Sequence, residues 1–437
     1  MEPIQLTDVE KAAKSLFTKL IIEGSFQPCD MGGAADLESK LPLWFDDAKF
    51  KRGQKYFLDN RFGMMQSNFC GLITLLSEPK GLTVLNNTGR SSTPETARKR
   101  YISTIFHMLS WYEIDLSPGS KSWASLNRVR KMHLHASTKS QKDSVGFITQ
   151  TEIALTTFGF MGYALIRPHV LGIKYDNQED REALVHFWAV IGAMLGVQDQ
   201  YNICLPELAV VETICQICLR YIFMPLLQLE SPLFKTMVRA IVDGLNEFTP
   251  FNSYESMIWF VRRVAGIPGY QYSVDLQKET VCRKLYSSEE LASMRKFFLE
   301  KKEYEYMDTA IFCEQIVLFD VKQTGDVCTV NESSLDSGTV TGVYNELPRE
   351  GVKSNNYLSE FLELKHNEEI VITVIENDDQ WQNYLNDSKL SLLSSSDLMN
   401  FKLKCRLCDS SYYRIGRFIN ETVLSFMLLR MRRAQGK

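Results

Sequence analysis

Five of the chain's six histidines, His107, His133, His135, His169 and His186, fall between residues 107 and 186, and His366 stands apart. Imidazole is the commonest metal ligand and a normal axial ligand of haem iron, so the clustering makes a metal or haem site in this span a concrete hypothesis. The segment Ser122–Thr138 reads SWASLNRVRKMHLHAST. On a helix Arg130 and His133 are three apart and share a face. His133 and His135 are two apart and diverge, so one of them is expected to look into any given pocket. The guanidinium groups of Arg128 and Arg130 are suited to forked bonds with carboxylates, including cofactor propionates. The same residues also describe a surface helix with a basic face.

A second segment, Glu95–Trp111, reads ETARKRYISTIFHMLSW. Arg100, Thr104, His107 and Trp111 recur at helical spacing and form one polar and aromatic stripe, backed by Ile102, Ile105, Phe106 and Leu109. Such a stripe fits a cofactor-pocket wall and equally a satisfied polar seam between helices. Two C-x-x-C pairs, Cys215–Cys218 and Cys405–Cys408, lie too far apart in sequence for a shared zinc site to follow from spacing. The first sits in an apolar helix and reads as core. H-E-x-x-H, the P-loop, a G-x-G-x-x-G after a strand and the G-x-S-x-G elbow are all missing, which removes several common enzyme classes.

These segments need long helices to position them. Apolar residues recur at three and four positions over about 47–60, 64–77, 94–112, 121–138, 150–166, 178–195, 205–228, 230–246, 254–265 and 287–303. Residues 1–40 read as a helical lead-in with a Gly-rich loop at Met31–Ala35, and Pro118-Gly119 and Pro268-Gly269 mark turns. Beyond residue 303 the chain becomes rich in Ser, Thr, Gly and Asp. There Glu369–Glu376 is the best strand candidate and Ser391–Ser396 reads as loop, before a final helix over Arg414–Arg433 with a basic end. The expected organisation is a lead-in over 1–40, a helical domain over 41–303 and a C-terminal extension over 304–437.

The chain is 45% hydrophobic and 23% charged, with a net charge of −4. No basic stripe marks a nucleic-acid partner. Ten irregularly spaced cysteines read as mostly reduced thiols of an intracellular protein. The N-terminus does not have the pattern of a secretory signal. Leu208–Leu229 is apolar but interrupted by Glu212 and Arg220, and Thr156–Ile173 contains Arg167, Pro168 and His169. Both are expected to be buried core helices, and contact with a membrane surface stays open.

An ordered series of short motifs resembles the ER-bound oxygenase mpaB and rubber-oxygenase family. Pro42-Leu43-Trp44-Phe45-Asp46 with Phe50-Lys51-Arg52-Gly53-Gln54 is similar to its opening P-x-W-F-D and F-x-R-G elements. Gly89-Arg90 is similar to its t-G-R turn, and Arg100–Thr104 to its R-x-x-x-T helix. Pro118-Gly119-Ser120 leads into Arg128–Ala136, which resembles its R-V-R-x-x-H block. Ile148-Thr149-Gln150 with Thr156-Thr157-Phe158, then Phe187-Trp188, Ile191-Gly192 and Leu195-Gly196-Val197, are like its next two helices. The series spans about residues 42–265.

The resemblance implies an all-α fold, a single large multi-helix domain with a haem pocket between helices, followed by the less regular extension with a few short strands. It implies haem b with His133 as axial ligand, Arg100 and Thr104 in the pocket, and Arg130 as a further pocket arginine beside Arg128. It implies an oxidoreductase using dioxygen on an isoprenoid or similar lipophilic substrate. The chain departs from the rubber-cleaving pattern at three places. Gly81–Arg90 holds no Asp or Glu where that branch carries a carboxylate, Ser103 replaces a lysine, and Ser137 replaces an arginine. These departures point toward a smaller lipid as substrate. The alternatives are a helical lipid- or prenyl-binding protein without the chemistry, and a non-haem metal site using His107, His133 or His169.

Overall fold

A computed structural model describes residues 4–30, 40–249, 252–267, 270, 285–300, 328–330, 370–372 and 392–435. The loops expected at Met31–Ala35 and Pro268-Gly269, and His366, lie outside the described residues.

The helices are α1 (Asp8–Ile22), α2 (Asp47–Asp59), α3 (Arg61–Leu75), α4 (Pro79–Asn87), α5 (Pro94–Glu113), α6 (Lys121–Lys142), α7 (Gln150–Ile166), α8 (Pro168–Leu171) and α9 (Gln178–Met194). They continue as α10 (Leu208–Cys218), α11 (Met224–Leu229), α12 (Pro232–Leu245), α13 (Tyr254–Ala265), α14 (Ser288–Glu300), α15 (Ser395–Ser410) and α16 (Arg414–Gln435). The fold is all-α, as the periodicity predicts. One antiparallel pair, β1 (Cys328–Val330) with β2 (Ile370–Ile372), falls in the extension, and β2 lies within the predicted strand.

Local chemistry explains most helix ends. Thr7, Thr93, Thr149 and Ser253 are N-caps closed by capping boxes, and Pro94 opens α5 where its missing N–H costs nothing. Two expectations need correction. Leu208–Leu229 is not one uniform helix, because a π-turn over Leu219–Phe223 separates α10 from α11. Pro225 cannot donate to the carbonyl one turn back, and the wider turn precedes it. That segment is long and apolar enough to cross a membrane, yet 83% of its apolar window is buried inside the protein. Ser391–Ser396 is not all loop, since Ser394 caps α15 through the Asp397 amide.

The core is tied by close backbone approaches and stacked rings. A Cβ on Gly53 of α2 would lie 2.5 Å from the Ala183 carbonyl of α9, and one on Gly71 of α3 would lie 1.7 Å from the Gly159 carbonyl of α7. Only glycine permits these helix crossings. Tyr112 of α5 stacks between Phe57 at 3.7 Å and Phe187 at 4.2 Å, and its hydroxyl accepts from Trp188 Nε1 at 2.7 Å. The last two helices fold back on this body. α15 packs on α13 and α8, and α16 packs on α3 and α5.

Candidate functional site

A cavity of about 2080 Å³ runs between α3, α4, α5, α6, α7 and α16. Its walls are mostly apolar, with Leu72, Leu76, Met108, Phe160 and Met427 among them. Ordinary small-molecule sites span roughly 300–1,000 Å³, so this one has room for more than one group.

The predicted α5 stripe is real: Arg100, Thr104, His107 and Trp111 all border the cavity. Thr88 caps the C-terminus of α4 and accepts from Arg100 Nη1 at 2.9 Å, and Gly89 takes the left-handed φ of 68° that turns the chain there. The Gly-Arg turn and the R-x-x-x-T helix are thus one structural unit. Thr104 donates its hydroxyl to the Arg100 carbonyl at 3.1 Å and keeps its lone pairs for the cavity. Burial disfavours the Arg100 charge, and the neighbouring Arg90 charge adds to that.

The two histidines nearest this stripe differ in state. Trp111 Nε1 can only donate, and it donates to Ser125 Oγ at 2.9 Å. The Ser125 hydroxyl is then free to donate to His107 Nδ1, 2.7 Å away. With Ser125 as donor the His107 proton sits on Nε2, and in either tautomer Nδ1 is engaged by Ser125. His133 is half-buried on the cavity wall, and its buried Nδ1 has no hydrogen-bond partner. Burial, and then the Arg100 charge, push its pKa down to about 4. It is a neutral imidazole with an unpaired nitrogen, the state in which imidazole binds iron.

Arg128 and His135 also border the cavity, from exposed positions on α6. The expectation that His133 and His135 cannot share a pocket fails because the cavity is wide enough to reach round the helix. Arg130 is a second correction. It does not border the cavity, and its Nε and Nη2 fork onto Asp30 at 2.7 and 2.9 Å. Its spacing from His133 is right, but a nearly buried carboxylate already holds it. Gln150 in turn holds that segment, donating to the carbonyls of Pro28, Cys29 and Gly196 while accepting from Gln198 N. Arg130 therefore positions α6, and with it His133.

Several other motif residues also serve the scaffold. Asp46 caps α2 through Lys49 N, and the Asp46 amide donates to His186 Nε2 at 3.1 Å. Arg52 pairs with Asp180 at 2.7 Å and with Glu179. His169 lies against Tyr175, away from the cavity. Among the described residues no group of three or more His, Cys, Asp or Glu is arranged to hold a metal ion. Cys215, Cys218, Cys405 and Cys408 are buried, and none of them is in a disulfide.

Sequence reasoning missed an acidic corner. Gly81–Arg90 indeed holds no carboxylate, but Glu78 stands just before it and borders the cavity. Glu78 caps α4, accepting from Lys80 N at 3.0 Å and Gly81 N at 2.6 Å. Burial, then the nearby Glu152 charge, hold its carboxyl well above the usual range. Glu152 also borders the cavity and lies 3.0 Å from Lys80 Nζ. The available signal was the Glu-Pro pair at a helix start, hidden because α4 itself was not expected.

The site's cationic residues are a fit for an anionic, iron-bearing cofactor on three counts. There is an unpaired neutral imidazole nitrogen. Among the described residues no carboxylate pairs with Arg90, Arg100 or Arg128, which ring the same cavity. The remaining wall is apolar.

Residues 54–213 match the family model described as "ER-bound oxygenase mpaB/B'/Rubber oxygenase, catalytic domain". This segment is similar to that family's catalytic domain. The family segment carries Arg100, Thr104, Arg128, Arg130 and His133, and it is shorter than the span over which motifs were read. α15 and α16, which close the cavity, lie outside it. A solved structure titled "Structure of Latex Clearing Protein LCP in the closed state" aligns with a TM-score of 0.42 at 15% identity, covering 72% of this chain and 91% of that one. No curated protein matches the chain.

Proposed function

We propose that the chain is an oxygenase that holds haem b in this cavity and acts with dioxygen on a small lipophilic substrate. The observation that carries the reading is His133, a neutral imidazole with an unpaired nitrogen on the wall of a large apolar cavity. His133 would hold the iron in this reading. Arg100, with Arg128 and Arg90 nearer the surface, holds the propionates. Haem, when bound, supplies the activation of dioxygen. The cavity volume exceeds what one ligand needs, which suits a cofactor and a substrate together. Thr104 offers its lone pairs at the wall, and Phe160 and Met427 exclude water around the substrate. Glu78, protonated more readily than an ordinary carboxylate, is placed to exchange a proton with the bound substrate.

The test is to express the full chain with a haem supply and record the visible spectrum. A Soret band in wild type that His133→Ala abolishes is expected. A wild type without the band, or a variant that keeps it, sinks the haem reading. The second reading, a lipid- or prenyl-binding protein without the chemistry, is favoured by Ser103, which stands where the rubber-cleaving branch has a lysine. Haem-free protein that co-purifies with a lipophilic ligand is its signature.

A further inference from the structure

We propose that the outward face of α16 docks on an anionic lipid bilayer, and that the cavity opens onto this face. Ile415, Phe418, Ile419, Val423, Phe426 and Leu429 recur at three and four positions along α16, and they are 77, 73, 51, 50, 62 and 46% exposed. The opposite face, with Asn420, Leu424 and Met431, is buried against the body. A stripe of six large apolar side chains in water is costly, and a helix so divided lies naturally in a membrane interface with its apolar face down. Tyr413, 73% exposed, stands at the start of the helix, where an amphipathic ring suits the headgroup level.

The charges choose the partner. α16 carries Arg414, Arg417, Arg430, Arg432 and Arg433 against a single acid, Glu421. Glu421 is already engaged by Arg61 at 3.0 Å. Arginines stand at both ends, so a second copy laid on the stripe in either direction would set arginine against arginine. An anionic lipid surface satisfies both ends at once. This basicity is local, because the whole chain has a net charge of −4.

The cavity meets the stripe at its rim. Val423, Phe426 and Arg430 belong both to the exposed face and to the cavity lining, beside Phe248. Arg430 lies 3.9 Å from Glu247, which keeps this cation at the cavity rim. A lipophilic molecule can then pass from the bilayer into the cavity without crossing water. Only this entry route rests on the lipophilic-substrate reading; the docking surface stands without haem.

The experiment is flotation of the full-length protein with vesicles of pure phosphatidylcholine, and with vesicles containing phosphatidylserine. Haem-free and haem-loaded protein are compared. Wild type is expected to float with the anionic vesicles in both states and to release at high salt. Arg432→Gln with Arg433→Gln is expected to weaken binding roughly thirtyfold, since each basic residue near such a surface contributes about fivefold. Phe418→Glu with Phe426→Glu is expected to abolish it while circular dichroism and melting stay unchanged. Wild-type protein that stays unfloated on anionic vesicles overturns the proposal, whether its own chain or a second copy covers the stripe. Equal flotation of wild type and the arginine variant overturns it as well. Protein expressed with a haem supply that floats yet shows no Soret band would instead count against the haem reading alone.

Discussion

On the α4–α7 side of the cavity the charges are answered from within the protein. Lys80 lies 3.0 Å from Glu152, Glu152 also takes the Thr149 amide at 2.7 Å, and Glu78 accepts two backbone amides of its own helix. On the α5–α6 side the charges are left open. Arg100 has one neutral hydroxyl as its partner, and His133 Nδ1 has none. A buried cation or ring nitrogen without a partner costs stability, so its persistence on one wall marks where a ligand completes the structure. The closed corner folds the protein and tunes a carboxyl. The open wall leaves a guanidinium without a carboxylate and a ring nitrogen without a partner.

Experiments can break or sharpen that contrast, and the largest effect belongs to the closed pairs. Asp30→Asn removes the carboxylate charge and one of the two oxygens onto which Arg130 forks, setting an amide NH2 against the guanidinium, and the expected loss is about 3 kcal/mol in denaturant unfolding. It should also weaken haem retention, because Arg130 anchors the helix that carries His133. A loss within ±0.5 kcal/mol would show that the pair is not structural.

Acid tests the open wall. Unfolded His133 gains its proton near pH 6.5, whereas the folded one resists to about 4. Between these values the unfolded state binds more protons, so the haem-free protein loses stability as pH falls through the window. The total is on the order of 3 kcal/mol. His133→Leu should flatten this slope, and an unchanged slope in the variant would assign the acid sensitivity elsewhere.

Ser125→Ala is expected to cost about 1–2 kcal/mol, since the buried Trp111 N–H loses its acceptor. It also frees His107 Nδ1. Chemical shifts of the His107 ring that do not change in the variant would contradict its bond to Ser125. The smallest stability effect is expected at Arg100. Arg100→Met should change haem-free stability by less than about 1 kcal/mol, or raise it, because no ion pair is broken. The same variant should weaken haem or another anionic ligand about tenfold, as one charge-assisted contact is lost. A destabilisation as large as that of Asp30→Asn would erase the contrast between the walls.

Much of the fold was legible because it is local. Ten helical segments read from apolar periodicity correspond to helices or to the α10–α11 pair, and Thr93, Thr149 and Ser253 announce their own caps. α4 was not legible, because nine residues span too few turns for an apolar period to stand out from the preceding helix. Glu78 went unseen with it.

Sequence spacing alone put Arg100, Thr104, His107 and Trp111 on one stripe, and put Arg130 beside His133 on one face, since helical geometry fixes neighbours three and four apart. It could not assign their roles. Which histidine is unpaired depends on Ser125, on another helix. Whether Arg130 serves a ligand or the scaffold depends on Asp30, a hundred residues away in the chain. The cavity itself exists only once α3 to α7 and α16 have packed, because burial and long-range pairing are properties of the assembled helices.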